Sequence, residues 1–214
     1  MSQDGVAWTR WSENVPTIPG ATVGGAVWNA SWKSRVVYQP YVVHANGTYY
    51  DFYNAAGYND LGAAAEQSGI AMLADTRWPG VPQSGPIDAT LWRPNSHSPV
   101  LPSGAPSSFD ATMASDPKVF WDAEQNVWVM IYFGDGPGVG GHACIAIAFS
   151  VDLIHWHKDA TPLYEAGGHP SGIDAEHAHK ISLLFDDAGV GYMYYTAVGA
   201  KGRGIALLTS KPLR

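Results

Sequence analysis

Short apolar and aromatic runs recur along the chain, each broken by a cluster of Gly, Asn, Asp or Pro, and three stretches line up. Each opens on a polar step and a β-rich run: YQPYVV (38–43), SDPKVF (115–120) and AHKISL (178–183). The turn-forming stretches HANG (44–47), DAEQN (122–126) and DDAG (186–189) come next. The aromatic runs YYDFYNA (49–55), WVMIYFG (128–134) and GYMYYTA (191–197) then lead through polar loops to GIAMLADT (69–76), CIAIAFS (144–150) and GIALLTS (204–210). Runs this short, rich in Val, Ile, Tyr, Phe and Trp and bounded by turn residues, predict strands. No stretch of helical length carries a 3.6-residue amphipathic period; at most 60–67 makes one helical turn.

Trp-led runs close the first two repeats, LWRPNSHSPVL (91–101) and HWHKDATPLY (155–164), and a similar run, AWTRWSENVPTI (7–18), stands alone near the start. Four antiparallel strands repeated at this interval predict an all-β fold, a β-propeller of four-stranded blades. A two-sheet sandwich is the alternative, and it leaves the shared strand vocabulary unexplained. The expected blades are 36–101, 114–164 and 177–213, with an orphan outer strand at 6–18. Propellers hold roughly four to eight blades, so three predict either a piece of a larger ring, cut at its N-terminal side, or a ring assembled from several chains. An arc with open sheet edges is expected to self-associate.

Composition narrows the partners. Only 14% of the 214 residues are charged and the net charge is −7, which argues against nucleic acid or an anionic membrane. The single cysteine, Cys144, lies in an apolar run and excludes a disulfide framework. No leader or membrane-spanning run is seen, which predicts a soluble protein, cytoplasmic if the first residue is native. The glycine-rich GDGPGVGG (134–141) lacks the Lys-Ser/Thr ending of a phosphate loop. The tryptophans Trp8, Trp92 and Trp156 are expected to pack blades together.

In a blade, the start of the first strand and the loops before it and after the second strand gather at one mouth of the channel. Aligning the three first strands puts Gln39, Asp116 and His179 at one position. The loops add Glu66, Asp110, Asp135, Asp174, Glu176, His142, His177, Lys201 and Arg203, a dense titratable set for a chain so poor in charge. Only one of His177 and His179 is expected to face the channel.

SDPKVF followed by an aromatic strand and AFSVDLIHW resembles blades of the five-bladed glycoside hydrolases, the arabinanase and xylosidase group of glycoside hydrolase family 43. The resemblance implies a glycosidase acting on plant or algal oligo- or polysaccharides, with an acid and a base across the channel and a third carboxylate that tunes the acid. It implies a catalytic Asp116 as base or tuning carboxylate, and either Glu176 or His179 as acid, in place of the usual Glu-Gly-Pro of that group. Gln39, Glu66, Asp110, Asp135, His142 and Arg203 are then candidate substrate contacts. No cofactor is required, although His179 with oxygen ligands could hold a structural calcium ion. A related mannoside phosphorylase and a non-catalytic glycan-binding propeller are the competing readings.

Overall fold

The computed structural model describes residues 6–7, 30–75 and 91–211. The expected outer strand at 6–18, with Trp8, therefore lies outside the described residues except for its first two positions. Among the described residues are eleven strands: β1 (Val36–Ala45), β2 (Thr48–Tyr58), β3 (Ala64–Ala74), β4 (Arg93–Pro94), β5 (Met113–Asp122), β6 (Val127–Asp135), β7 (Cys144–Ser150), β8 (His157–Lys158), β9 (His177–Phe185), β10 (Gly191–Gly199) and β11 (Gly202–Thr209). Consecutive long strands pair antiparallel as β1-β2-β3, β5-β6-β7 and β9-β10-β11, the three expected repeats. The Trp-led runs form only the short outer strands β4 and β8, plus single bridges at Leu101 and Tyr164. Residues 64–67, read as a helical turn at most, belong to β3. A two-residue parallel ladder, Glu66 to Met113 and Gln67 to Ala114, joins the first two blades at one end.

Side chains alternate across a strand, so a strand sandwiched between blades must be apolar on both sides. β6 shows this: Met130 and Tyr132 pack toward the first blade with Phe52, Ile70 and Leu101. Val129 and Ile131 pack toward the third with Ile181, Tyr195 and Ala197. That double burial explains the unbroken run WVMIYFG. Trp156 packs edge-on against Phe52 and donates its indole N–H to the Leu153 carbonyl at 3.0 Å, and Trp92 is buried in a third cluster with Trp32 and Tyr53. These tryptophans serve blade packing. Cys144 is buried and unpaired, and burial pushes its thiol up to about 12.

One device recurs in all three blades. β1, β5 and β9 each carry a bulge, between Tyr38 and Tyr41, Ser115 and Lys118, and His179 and Ser182. The first bulged residue in each has positive φ: Gln39 at 52°, Asp116 at 55° and Lys180 at 52°. A buried tyrosine stands opposite: Tyr53, Tyr132 and Tyr195. Bulges re-aim side chains and sharpen twist.

Asp51 on β2 is a buried carboxyl with one oxygen lacking a hydrogen-bond partner, and burial pushes it up to about 7. A carboxyl raised on folding binds more protons folded than unfolded, so its effect on stability is unfavourable once pH rises through the window from about 4 to 7. Asp51→Asn is expected to stabilise the fold at pH 8 and to leave it unchanged near pH 4, measured by urea denaturation at the two values. His179 titrates with the opposite slope in part of this window, so the comparison is between variant and wild type at each pH.

Candidate functional site

The bulges correct the sequence alignment by one residue. The position shared with Gln39 and Asp116 is Lys180, whereas His179 aligns with Tyr38 and Ser115. Counting outward from the repeat motif alone could not reveal where each strand gains its extra residue.

Asp116 is 4% exposed. Its carboxylate is ion-paired with the Lys118 ammonium, which lies 5.5 Å from the Tyr41 ring centroid. Its backbone N–H donates to Asn54 Oδ1 at 2.5 Å, and Asn54 Nδ2 donates to Gln39 Oε1 at 2.6 Å. Ser68 Oγ donates to the Ala114 carbonyl at 3.0 Å and lies 3.4 Å from Asn54 Oδ1. Asn54 thus ties the bulges of two blades together. Neither Asn54 nor Lys118 was singled out from the sequence. The available signals were a lone amide in an aromatic strand and a lysine two residues after an Asp-Pro step.

Next to this knot, Ser115 Oγ donates to Glu66 Oε2 at 3.3 Å. The Tyr38 phenol is also hydrogen-bonded to Glu66; burial and that carboxylate both push the phenol upward, so it stays protonated. Glu66 and Asp135 flank Met113, one on each neighbouring strand. At ordinary strand spacing their α carbons are roughly 10 Å apart. Burial raises Asp135 above the usual carboxylate range; the charges of His177 and His142 oppose this, and Glu66 adds to it. Asp116, Tyr38 and Glu66, with Asp135 on the far side of Met113, thus line a polar strip from the first blade to the second.

The third blade contributes histidines. Residues two apart on a strand share a face, and His177 and His179 both do, their rings 5.9 Å apart, against the expectation of one alone. His177 Nδ1 accepts the Ala143 N–H at 3.0 Å. His142 Nδ1 bonds the Glu176 carbonyl at 2.7 Å, while the Glu176 side chain stands in solvent. His179 packs edge-on against Phe133 at 5.7 Å, and its Nε2 is buried without a partner. Burial first, then the charges of Lys180, His177 and Arg203, lower His179 to about 4. That removes the imidazolium an acid role needs at neutral pH. No three His, Cys, Asp or Glu side chains converge as a metal-ligand set among the described residues.

Asp110 and Asp174 occupy equivalent places and turn inward. Asp110, 2% exposed, is held by Lys158 Nζ at 2.5 Å, Ser108 Oγ at 2.9 Å and the Tyr132 hydroxyl at 3.3 Å. Asp174 accepts from the hydroxyls of Tyr164 at 2.7 Å and Tyr195 at 2.8 Å. Both lock a bulge tyrosine to the preceding loop, which is a structural task and leaves Asp110 no carboxylate oxygen without a donor. The glycine-rich stretch has a similar purpose: a Cβ on Gly136 would lie 2.5 Å from the Ser108 carbonyl oxygen, and one on Gly138 2.6 Å from the Phe109 nitrogen. Glycine lets this loop pack directly on the loop that carries Asp110.

A cleft of about 360 Å³ between the second and third blades is lined by Phe120, Leu163, Phe185, Met193 and Leu208. It is apolar and sits at the far end of β9 and β10 from the histidines, so it is separate from the polar strip.

No protein-family model matches the chain, and no curated protein matches it. Solved structures do. The complex of BT0996 named with RGII superposes with a TM-score of 0.68 at 26% identity, over 89% of this protein and 50% of that one. A structure named glycoside hydrolase gives 0.67 at 25% identity with the same coverage. The catalytic domain of the Coprinopsis cinerea GH62 α-L-arabinofuranosidase gives 0.54 at 14% identity, over 94% of this protein and 52% of that one. The chain spans about half the length of these structures. Its blades are those of an all-β propeller fold, and among the structures it is similar to are ones named as a glycoside hydrolase and a GH62 α-L-arabinofuranosidase.

Proposed function

We propose that the chain carries part of a glycoside hydrolase site and that the substrate is a plant or algal oligo- or polysaccharide, in a protein related to the family 43 group. The observation that carries this is the triple bulge. Three non-glycine residues with φ between 52° and 55° recur at one position of three blades. Backbone held this way costs on the order of 1–3 kcal/mol, and such strain concentrates at functional sites. One of the three is a buried aspartate whose neighbour Ser115 donates to Glu66, with Asp135 on the strand beyond Met113.

In this reading Asp116 is the ionised partner, as base or attacking group, fixed by Lys118 and Asn54. Asp135 is the better acid, because burial and the Glu66 charge keep its proton on to higher pH. Glu66, with Tyr38 and Ser115 hydrogen-bonded to it, tunes that proton. Glu176 would need its exposed loop to turn inward, and His179 lacks a proton to give at neutral pH. Gln39 and His142 remain as sugar contacts near the strip.

A general acid matters most when the leaving group is poor. Asp135→Asn is therefore expected to slow alkyl glycosides about a hundredfold while sparing dinitrophenyl glycosides. Wild-type kcat is expected to fall at high pH as Asp135 loses its proton, and Asp135→Asn should abolish that fall. Equal losses on both substrate types would remove Asp135 from the acid role.

A further inference from the structure

Among the described residues the lysines nearest Asp116 and Asp110 are spent on them: Lys118 pairs with Asp116 and Lys158 with Asp110. The third blade presents cations without that service. Lys180 replaces Asp116 and Gln39 at the bulge, and its ammonium stands 6.0 Å from the Phe133 ring centroid. Phe133 pairs in register with Ser115, the residue beside Asp116, so the charge reaches back over the second blade's part of the site. Arg203 joins it by strand register: His177, Val198 and Arg203 form one row across β9, β10 and β11. Cross-strand neighbours share a face, which puts Arg203 on the side of His177 and hence of His179. Neither Lys180 nor Arg203 is in an ion pair with a described residue, and the His179 Nε2 among them is buried without a partner.

Two exposed cations without an ion-pair partner among the described residues, standing at the edge of a carboxylate-rich strip with the buried His179 nitrogen behind them, call for an anion from outside. We infer that Lys180 and Arg203, backed by His179, form a subsite for the carboxylate of a uronic acid residue in the substrate. The inference rests on the sugar-cleaving reading and names the sugar class. A carboxylate suits the charge count better than phosphate does. The two cations face a single negative charge, and the neighbouring Asp135, Glu66 and Glu176 would repel a dianion more strongly. Guanidinium and ammonium donors to a carboxylate also give the shorter, stronger class of hydrogen bond.

The chain itself tests this by NMR titration with methyl galacturonate-type uronides, their neutral methyl esters, and inorganic phosphate. The uronide is expected to bind about tenfold more tightly than its ester, as loss of one charge-assisted contact implies. Lys180→Gln, a side chain the equivalent bulge already accepts at Gln39, with Arg203→Met should bring the uronide down to the affinity of the ester measured on the same variant. Equal binding of uronide and ester overturns the anion subsite while leaving the sugar site standing. Phosphate that binds as tightly as the uronide and displaces it overturns the carboxylate assignment in favour of phosphate. Binding of neither sugar form overturns the inference and the sugar-cleaving reading together.

Discussion

Asp116→Asn is expected to lower kcat on an aryl glycoside by about 10³- to 10⁴-fold, at the upper end of what one acid or base contributes. The substitution keeps the side-chain shape and the backbone contact from the Asp116 N–H to Asn54, so the bulge should persist. Lys118 loses its ion pair but keeps the Tyr41 ring beneath it, and cation–π contacts recover part of that loss. Stability should fall by less than the ~3–5 kcal/mol of a buried pair that loses one member outright, because the Asn amide oxygen can still accept from Lys118, and KM should change little. A fall in kcat that persists well below the variant's melting transition identifies a group acting in the transition state. Retention of wild-type kcat would make Asp116 a structural carboxylate like Asp110.

Asp110→Ala should behave in the opposite way. It strips a buried carboxylate from Lys158, Ser108 and the Tyr132 hydroxyl at once. Removing one member of a buried ion pair leaves the other charge uncompensated, at a cost of about 3–5 kcal/mol. At this chain length that corresponds to a fall in Tm of roughly 6–20 °C. Sugar affinity measured well below the new Tm should be unchanged. A variant that melts normally and loses sugar affinity would restore Asp110 as a substrate contact, as its sequence position suggested.

The strands, their order and the division into three repeats were legible because each depends on local pattern: alternation, turn residues and aromatic density. β6 was the clearest, since burial on both sides writes an unbroken apolar run. The outer strands were over-read, because the Trp-led segments touch the sheet only at β4, β8 and two bridges. The site was legible only in part. Asp116 stood out through its Asp-Pro step, but the bulge that gives it meaning depends on register with the facing strand, which no motif records. For the same reason His179 was placed where Lys180 belongs. The pairing of Asp110 with Tyr132 and Asp174 with Tyr195 joins residues about twenty positions apart in sequence, and only packing tells a spent carboxylate from an open one. Asn54 and Tyr38 were invisible as site residues because their roles are to orient others.

The central claim is that this strip of carboxyls serves glycoside cleavage, and turnover tests it most directly. The measurement is release of aryl alcohol from a broad panel of neutral and uronate aryl glycosides, with and without phosphate, by wild type and Asp116→Asn in parallel. The account predicts phosphate-independent hydrolysis by wild type, lost in Asp116→Asn. Sugar binding with no turnover on any member of the panel, or turnover equal in the two proteins, would contradict it.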